Sequence, residues 1–121
     1  MRVGYVVLYV KDPDASRRFW IDQVGMVEKD RKNVGEFDIV KVGFADQSFN
    51  FELVPLDLMK DNPDGLDLAT PSIAFHVDDL AVTREALVAA GVQATEPGNH
   101  SGVEAFAFCD NEGRWFAVTR S

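Results

Sequence analysis

Cysteine, basic residues and long apolar runs are all scarce in this sequence. The only cysteine, Cys109, cannot form an internal disulfide, which excludes a disulfide scaffold and favours a reducing compartment. The 12 Lys and Arg residues against 20 Asp and Glu give a formal net charge of −8, which disfavours nucleic acids and anionic membranes as partners. No apolar run approaches the roughly 20 residues of a membrane span, and we expect no signal peptide. These absences together predict a cytoplasmic protein.

The composition is otherwise that of a soluble globular protein. Of the 121 residues, 46% are hydrophobic and 26% are charged, which suffices for one domain with its own core. The acidic excess mildly favours cationic ligands.

Residues 72–91, SIAFHVDDLAVTREALVAAG, change from a strand pattern to a helix pattern. The first six residues alternate between apolar and small or polar side chains, as in a half-buried strand. Asp79 is a suitable N-cap, and Gly91 suits the C′ position that ends a helix. We expect an apolar helix face made of Val82, Ala86, Leu87 and Ala90.

Residues 5–25 repeat this pattern when the sequence is shifted by 67 positions. The shift aligns Val6 with Ile73, Leu8 with Phe75, Asp12 with Asp79, Ala15 with Val82, Phe19 with Ala86 and Trp20 with Leu87. The tails also correspond, because GFADQSFNFELV (43–54) resembles AFCDNEGRWFAVT (107–119). The sequence therefore predicts an internal duplication of a unit with one strand, one helix and further strands.

The segments between these repeats have weaker signals. The charged run EKDRK within residues 26–36 predicts a strand that fades into an exposed turn. We expect a short strand at residues 92–95, a flexible loop at 96–102, and hairpins whose turns are residues 46–48 and 111–113. Residues 56–71 connect the two repeats and are expected to be either a solvated linker or a segment with a short helical turn.

The repeated units, the segment VLYVKDPDAS, the strand IAFHVDD and the ending DNEGRWF resemble the vicinal oxygen chelate superfamily, which includes glyoxalase I, bleomycin resistance proteins and extradiol dioxygenases. The resemblance covers nearly the whole chain. It implies an α+β fold of two tandem βαβββ modules, with curled mixed sheets around a cleft and helices outside. We expect a single domain made of modules 1–56 and 70–121 with a linker at 57–69, with helices at about 13–24 and 80–90.

The resemblance also identifies four positions that carry metal ligands in the metalloenzymes of the superfamily: Tyr5, Glu52, Ser72 and Ala117. Only Glu52 is a usual ligand. Zinc and iron sites need three or four nitrogen, sulfur or carboxylate ligands, so we expect no metal and no other cofactor.

Six residues are candidates for ligand binding on the cleft side of the strands: Tyr5, Tyr9, Glu52, Ser72, His76 and Trp115. The aromatic residues are expected to form a wall for a flat or cationic ligand, or else to serve packing alone. Glu52 either binds a ligand or pairs with Lys41 or Arg114 on a neighbouring strand.

The two histidines and the cysteine have alternative interpretations. His76 is either a base or hydrogen-bond donor in the cleft or a strand-end histidine that bonds nearby backbone. We expect His100 to be an exposed loop residue rather than part of a lid, and Cys109 to be a small core residue. No catalytic residue is assigned.

Three functions of different class follow. The first is a metal-free protein, similar to the bleomycin resistance proteins, that binds a small, cationic or aromatic molecule as a homodimer. The second is a metal-dependent lyase or dioxygenase, similar to glyoxalase, in which Glu52 is joined by His76 or His100 in a rearranged site. The third is a dimer with a structural or regulatory role.

Overall fold

A computed structural model describes residues 1–100 and 102–120 and divides into two compact units, Met1–Thr70 and Pro71–Ser121. Each unit contains one four-stranded mixed sheet. No helix among the described residues is long and apolar enough to cross a membrane.

The first unit has the order strand, helix, strand, strand, strand. Its elements are β1 (Val6–Val10), α1 (Pro13–Arg18), a π-helical continuation (Phe19–Val24), β2 (Val27–Val34), β3 (Phe37–Gly43), β4 (Phe51–Pro55) and a 3₁₀ turn (Leu56–Met59). The sheet order is β1-β4-β3-β2, in which β1 and β4 are parallel and the other pairs are antiparallel.

The second unit repeats this topology. Its elements are β5 (Ala74–Val77), α2 (Leu80–Ala89), β6 (Gly98–His100), β7 (Val103–Cys109) and β8 (Trp115–Arg120). The sheet order is β5-β8-β7-β6, with β5 and β8 parallel. The predicted fold of two βαβββ modules is confirmed.

Both helices begin at an aspartate cap, as the sequence predicts. The side chain of Asp12 accepts a hydrogen bond from the backbone N–H of Ala15 at 3.0 Å, and Asp79 accepts one from Val82 at 3.0 Å. Each cap satisfies one of the backbone donors that a helix start leaves unpaired. Gly25, at φ 99°, ends the first helical segment in a left-handed conformation that glycine adopts without strain.

The core of the first unit centres on Trp20. Its side chain is 0% exposed, and its ring lies 5.1 Å from that of Phe19 and 5.1 Å from that of Phe51, both in edge-to-face geometry. The helical segment α1 contacts β3 and β4. Phe51 therefore marks the side of the first sheet that the helix covers.

The core of the second unit is a cluster of phenylalanines. Phe75, Phe108 and Phe116 contact one another with ring centroids 5.6–6.1 Å apart. Helix α2 contacts β7 and β8, and its buried residues are Leu80 and Leu87.

The predicted apolar face of α2 is wrong for Val82, Ala86 and Ala90, which are all exposed. The helix is apolar on more than one face, so its sequence offers two stripes for burial. Leu80 and Leu87 remove more apolar area from water than alanines do, and the stripe that contains them is the buried one.

Three expectations for the connecting segments are also wrong. Residues 92–95 contain only an isolated bridge from Ala94 to Phe108, and the predicted loop at 96–102 instead contains β6, which pairs with β7. Strand β2 does not fade but continues through the charged run to Val34. Its charged side chains suit an edge strand, because they protect an open sheet edge without a need for burial.

Arg31 on this edge strand forms ion pairs with Glu28 on the same strand and with Asp38 on β3. The Arg31 guanidinium donates to Glu28 at 2.6 Å and to Asp38 at 2.7 Å. The hydrogen bond from Arg31 lowers the pKa of Glu28, and hydrogen bonds from Asn33 and Arg31 lower the pKa of Asp38.

Candidate functional site

The side of each sheet that lies opposite its helix is called here the helix-free face. In the first unit Phe51 and Leu53 point toward the helix, so Glu52 between them points to the helix-free face. Tyr9 lies on the same face, because its register partner Val54 is two residues from Glu52 on β4. Tyr5 precedes β1 and is exposed.

Glu52 is a largely buried residue whose side chain carries a carboxylate. It is 6% exposed, and its register partners are Val7 on β1 and Lys41 on β3. The nearest cation is the Lys32 ammonium, at 3.9 Å from Oε2. Within the described ranges, 1–100 and 102–120, no donor forms a hydrogen bond with this carboxylate. A donor that reached this carboxylate from outside would find acceptor sites that no described residue occupies, in surroundings with little water, and such a donor would be stabilised.

The expected partners of Glu52 bind other groups. The Lys41 Nζ atom lies 4.1 Å from the centroid of the Tyr5 ring, in a cation–π contact. Arg114 pairs with Asp110 at 3.3 Å and with Glu112 at 3.4 Å. Sequence reasoning missed Lys32, because it ended β2 within the charged run. Had β2 been extended through the charged run, Asp30 and Lys32 would have been two residues apart on the same face of the strand. That spacing is the signal that would have placed Lys32 on the face of Glu52.

The helix-free face of the second unit carries His76 and Trp115. The Nδ1 atom of His76 lies 2.8 Å from the Thr119 hydroxyl, its register partner on β8, and this contact orients the imidazole ring. Trp115 is 48% exposed and is paired with Cys109. Ser72 is exposed and precedes β5. Desolvation and the negative charge of Asp110 raise the pKa of the Cys109 thiol.

The two helix-free faces differ most at equivalent positions in their centres. In the first unit a row across the sheet reads Val7, Glu52, Lys41 and Asp30. The equivalent row in the second unit reads Ala74, Ala117 and Ala107. The two units therefore share a backbone arrangement, whereas this row has three charged residues in the first unit and only alanines in the second.

The residues at the usual metal-ligand positions of the superfamily do not fit a metal. Ala117 offers no donor atom and is flanked in register by two further alanines. In the other unit Glu52 faces an ammonium group and Tyr5 contacts another. No group of three or more His, Cys, Asp or Glu residues that could hold a metal ion occurs in the part of the chain that the structure describes. His100 belongs to β6, but its side chain lies outside the described part.

The paired βαβββ units define a small α+β protein of the two-module class. The family described as the Glyoxalase/Bleomycin resistance protein/Dioxygenase superfamily matches residues 2–118. The chain belongs to this superfamily. The sequence matches none of the curated proteins.

Solved structures with the same fold cover nearly the whole chain. UcmS2 is 23% identical with a TM-score of 0.82, and the alignment covers 100% of this chain and 98% of UcmS2. TnmS3, an antibiotic binding protein from Streptomyces sp. CB03234, is 16% identical with a TM-score of 0.79, with coverages of 99% and 95%. A superfamily member from Sphaerobacter thermophilus DSM 20745 is 19% identical with a TM-score of 0.82, with coverages of 100% and 98%.

Proposed function

We propose that this protein binds a small molecule on the helix-free face of its first unit, with Glu52 as the anchor and without a resident metal. The observation that carries the proposal is a carboxylate that is almost fully buried yet accepts no hydrogen bond from the described residues. The likeness of the fold to TnmS3, described as an antibiotic binding protein, supports a binding role for the superfamily scaffold.

The chemistry around Glu52 favours a ligand with a positive charge or strong N–H donors. A ligand N–H group would form a charge-assisted hydrogen bond with the carboxylate, and the low local dielectric would strengthen it. Tyr9 is half-buried on the same face, and the exposed Tyr5 ring lies near Lys41. These rings suit an aromatic or apolar ligand body.

The proposal includes the second helix-free face as a further binding surface, with Ser72, His76 and Trp115 as contact residues. An exposed tryptophan beside a row of alanines accepts a flat apolar group, and the oriented His76 ring supplies a polar contact. A metal-dependent lyase or dioxygenase has less support, since Ala117 and its neighbours offer no ligand atoms.

We also propose a cytoplasmic homodimer. The exposed apolar side chains of α2, among them Val82 and Val88, are a surface that a second copy would cover. Sedimentation velocity that shows only monomer at high micromolar concentration would contradict the dimer.

Replacing Glu52 by glutamine tests the anchor role directly. The change keeps the shape and removes the charge, so a ligand held by the carboxylate is expected to lose at least about tenfold in affinity, or about 1.4 kcal/mol. The fold is expected to stay intact and its stability to hold or rise, because the buried charge is removed. Ligands found by thermal-shift screening of aromatic amines would be titrated by calorimetry.

Glu85→Gln is the matched control, because it removes the same charge from an exposed position on α2. It is expected to leave affinity unchanged. If Glu52→Gln keeps full affinity and loses stability, Glu52 is a structural ion-pair partner and the proposed function is wrong.

A further inference from the structure

In the ion pair of Glu52 and Lys32, one partner is buried and the other is exposed, and the charged groups lie relatively far apart. The Glu52 side chain is 7% exposed, whereas that of Lys32 is 57% exposed. The distance of 3.9 Å between Nζ and Oε2 is longer than the roughly 2.7–2.9 Å of a direct N⁺–H···O⁻ hydrogen bond. The ammonium therefore balances part of the negative charge and leaves the acceptor sites of the carboxylate unused.

Lys32 is also easily withdrawn. It lies on the edge strand β2, and its ammonium group keeps much of its hydration. Exposed lysine pairs contribute little to stability, because solvent screens the charges and the long side chain loses entropy when it is held. Moving Lys32 away from Glu52 thus costs little.

Lys41 is held elsewhere. It is the register partner of Glu52, but its Nζ atom lies over the Tyr5 ring at 4.1 Å. Among residues 1–100 and 102–120, Lys32 is the one cation within ion-pairing distance of the carboxylate.

We infer that Lys32 is a displaceable counter-ion, and that the ligand is a primary or secondary amine on an aromatic body whose ammonium group replaces Lys32 at Glu52. This inference rests on the proposed function. In the ligand-free protein, Lys32 partly neutralises the negative charge of Glu52. In the ligand-bound protein, direct N–H···O⁻ hydrogen bonds from the ligand replace this long ion pair. The ammonium must carry N–H groups, because a quaternary ammonium has the charge but no donor.

The test uses three probes that share one skeleton: 2-phenylethylammonium, its N,N,N-trimethyl derivative and neutral 2-phenylethanol. Each is titrated into the wild type, Lys32→Met, Glu52→Gln and Lys60→Met by NMR or calorimetry. Lys60→Met is the matched control, because it removes the same charge from an exposed position outside the sheet and so reports any long-range attraction.

Removal of the competing ammonium is expected to tighten 2-phenylethylammonium binding about fivefold in Lys32→Met, which corresponds to about 1 kcal/mol. Binding of 2-phenylethanol should not change, and Lys60→Met should match the wild type. The trimethyl derivative is expected to bind at least about tenfold more weakly than the primary ammonium to the wild type.

Each contrary result has a distinct meaning. If Lys32→Met binds 2-phenylethylammonium no more tightly than Lys60→Met while Glu52→Gln still loses affinity, the displacement is wrong and the proposed function stands. Equal binding of the primary and trimethyl ammonium overturns the assignment of an N–H donor ligand. Equal binding by Glu52→Gln and the wild type overturns the proposed function itself. Absence of 2-phenylethylammonium binding up to about 10 mM, in both wild type and Lys32→Met, overturns the assigned ligand class.

Discussion

Replacing Trp20 by alanine is expected to destabilise the protein by about 3–5 kcal/mol. The side chain is fully buried and contacts two aromatic rings edge to face. Its removal leaves a cavity between the helical segment and β4, because the surrounding residues relax only partly around a gap as large as an indole ring. Urea unfolding followed by circular dichroism measures the loss.

The second tryptophan of the chain is the matched control. Trp115 lies on a helix-free face and is about half exposed, so Trp115→Ala is expected to cost no more than about 1 kcal/mol. Equal losses for the two variants would show that Trp20 is not the centre of the first unit's core.

Asp110→Ala is expected to cost about 3 kcal/mol, the second largest effect. The Asp110 side chain is 1% exposed. Its Oδ1 atom accepts backbone hydrogen bonds from Glu112 and Arg114 at 2.9 Å each, and Oδ2 pairs with the Arg114 guanidinium. Alanine leaves the two backbone donors without their acceptor and removes one of the two carboxylates that pair with the mostly buried Arg114 guanidinium, which opens the turn between β7 and β8.

The duplication supplies the control for this change as well. Asp46 occupies the equivalent position in the first unit, but it is exposed. Asp46→Ala is expected to stay within about 0.5 kcal/mol of the wild type. Thermal unfolding of both variants decides the point, and a small loss in Asp110→Ala would show that the turn does not depend on its carboxylate.

The fold follows from the sequence to a large extent because the same signals occur twice. Each aspartate cap, followed by apolar residues and a closing glycine, defines a helix, and each alternating stretch before it defines a parallel strand. Duplication made these signals more reliable than either copy alone. The module boundaries at residues 56 and 70, the linker at 57–69 and the single domain remain predictions.

The sequence-based predictions were wrong where the local residue pattern is compatible with two different structures. Helix α2 has apolar residues around most of its circumference, so periodicity alone did not identify Leu80 and Leu87 as its buried side. Residues 96–102 contain two glycines and a proline, yet the pairing of Asn99 with Glu104 makes a strand. Whether such an edge segment forms a strand depends on the neighbouring strand with which it pairs. The sequence of the segment alone does not specify that neighbour.

The candidate site was only partly accessible to sequence reasoning. Alternation placed Glu52 on the helix-free face, because its neighbours Phe51 and Leu53 must be buried. The identity of its counter-ion depended on the length of β2 and on the rotamer of Lys41. Neither is encoded in local periodicity.

Glu52 is proposed to bind a ligand without the help of a metal. The most direct test is calorimetric titration of 2-phenylethylammonium into wild-type protein and Glu52→Gln, each treated with EDTA or supplied with Zn, Ni, Fe or Mn. The wild-type dissociation constants are expected to agree within about twofold with and without metal, and Glu52→Gln is expected to bind at least about tenfold more weakly in both conditions. Binding that disappears on chelation and returns with metal would contradict it.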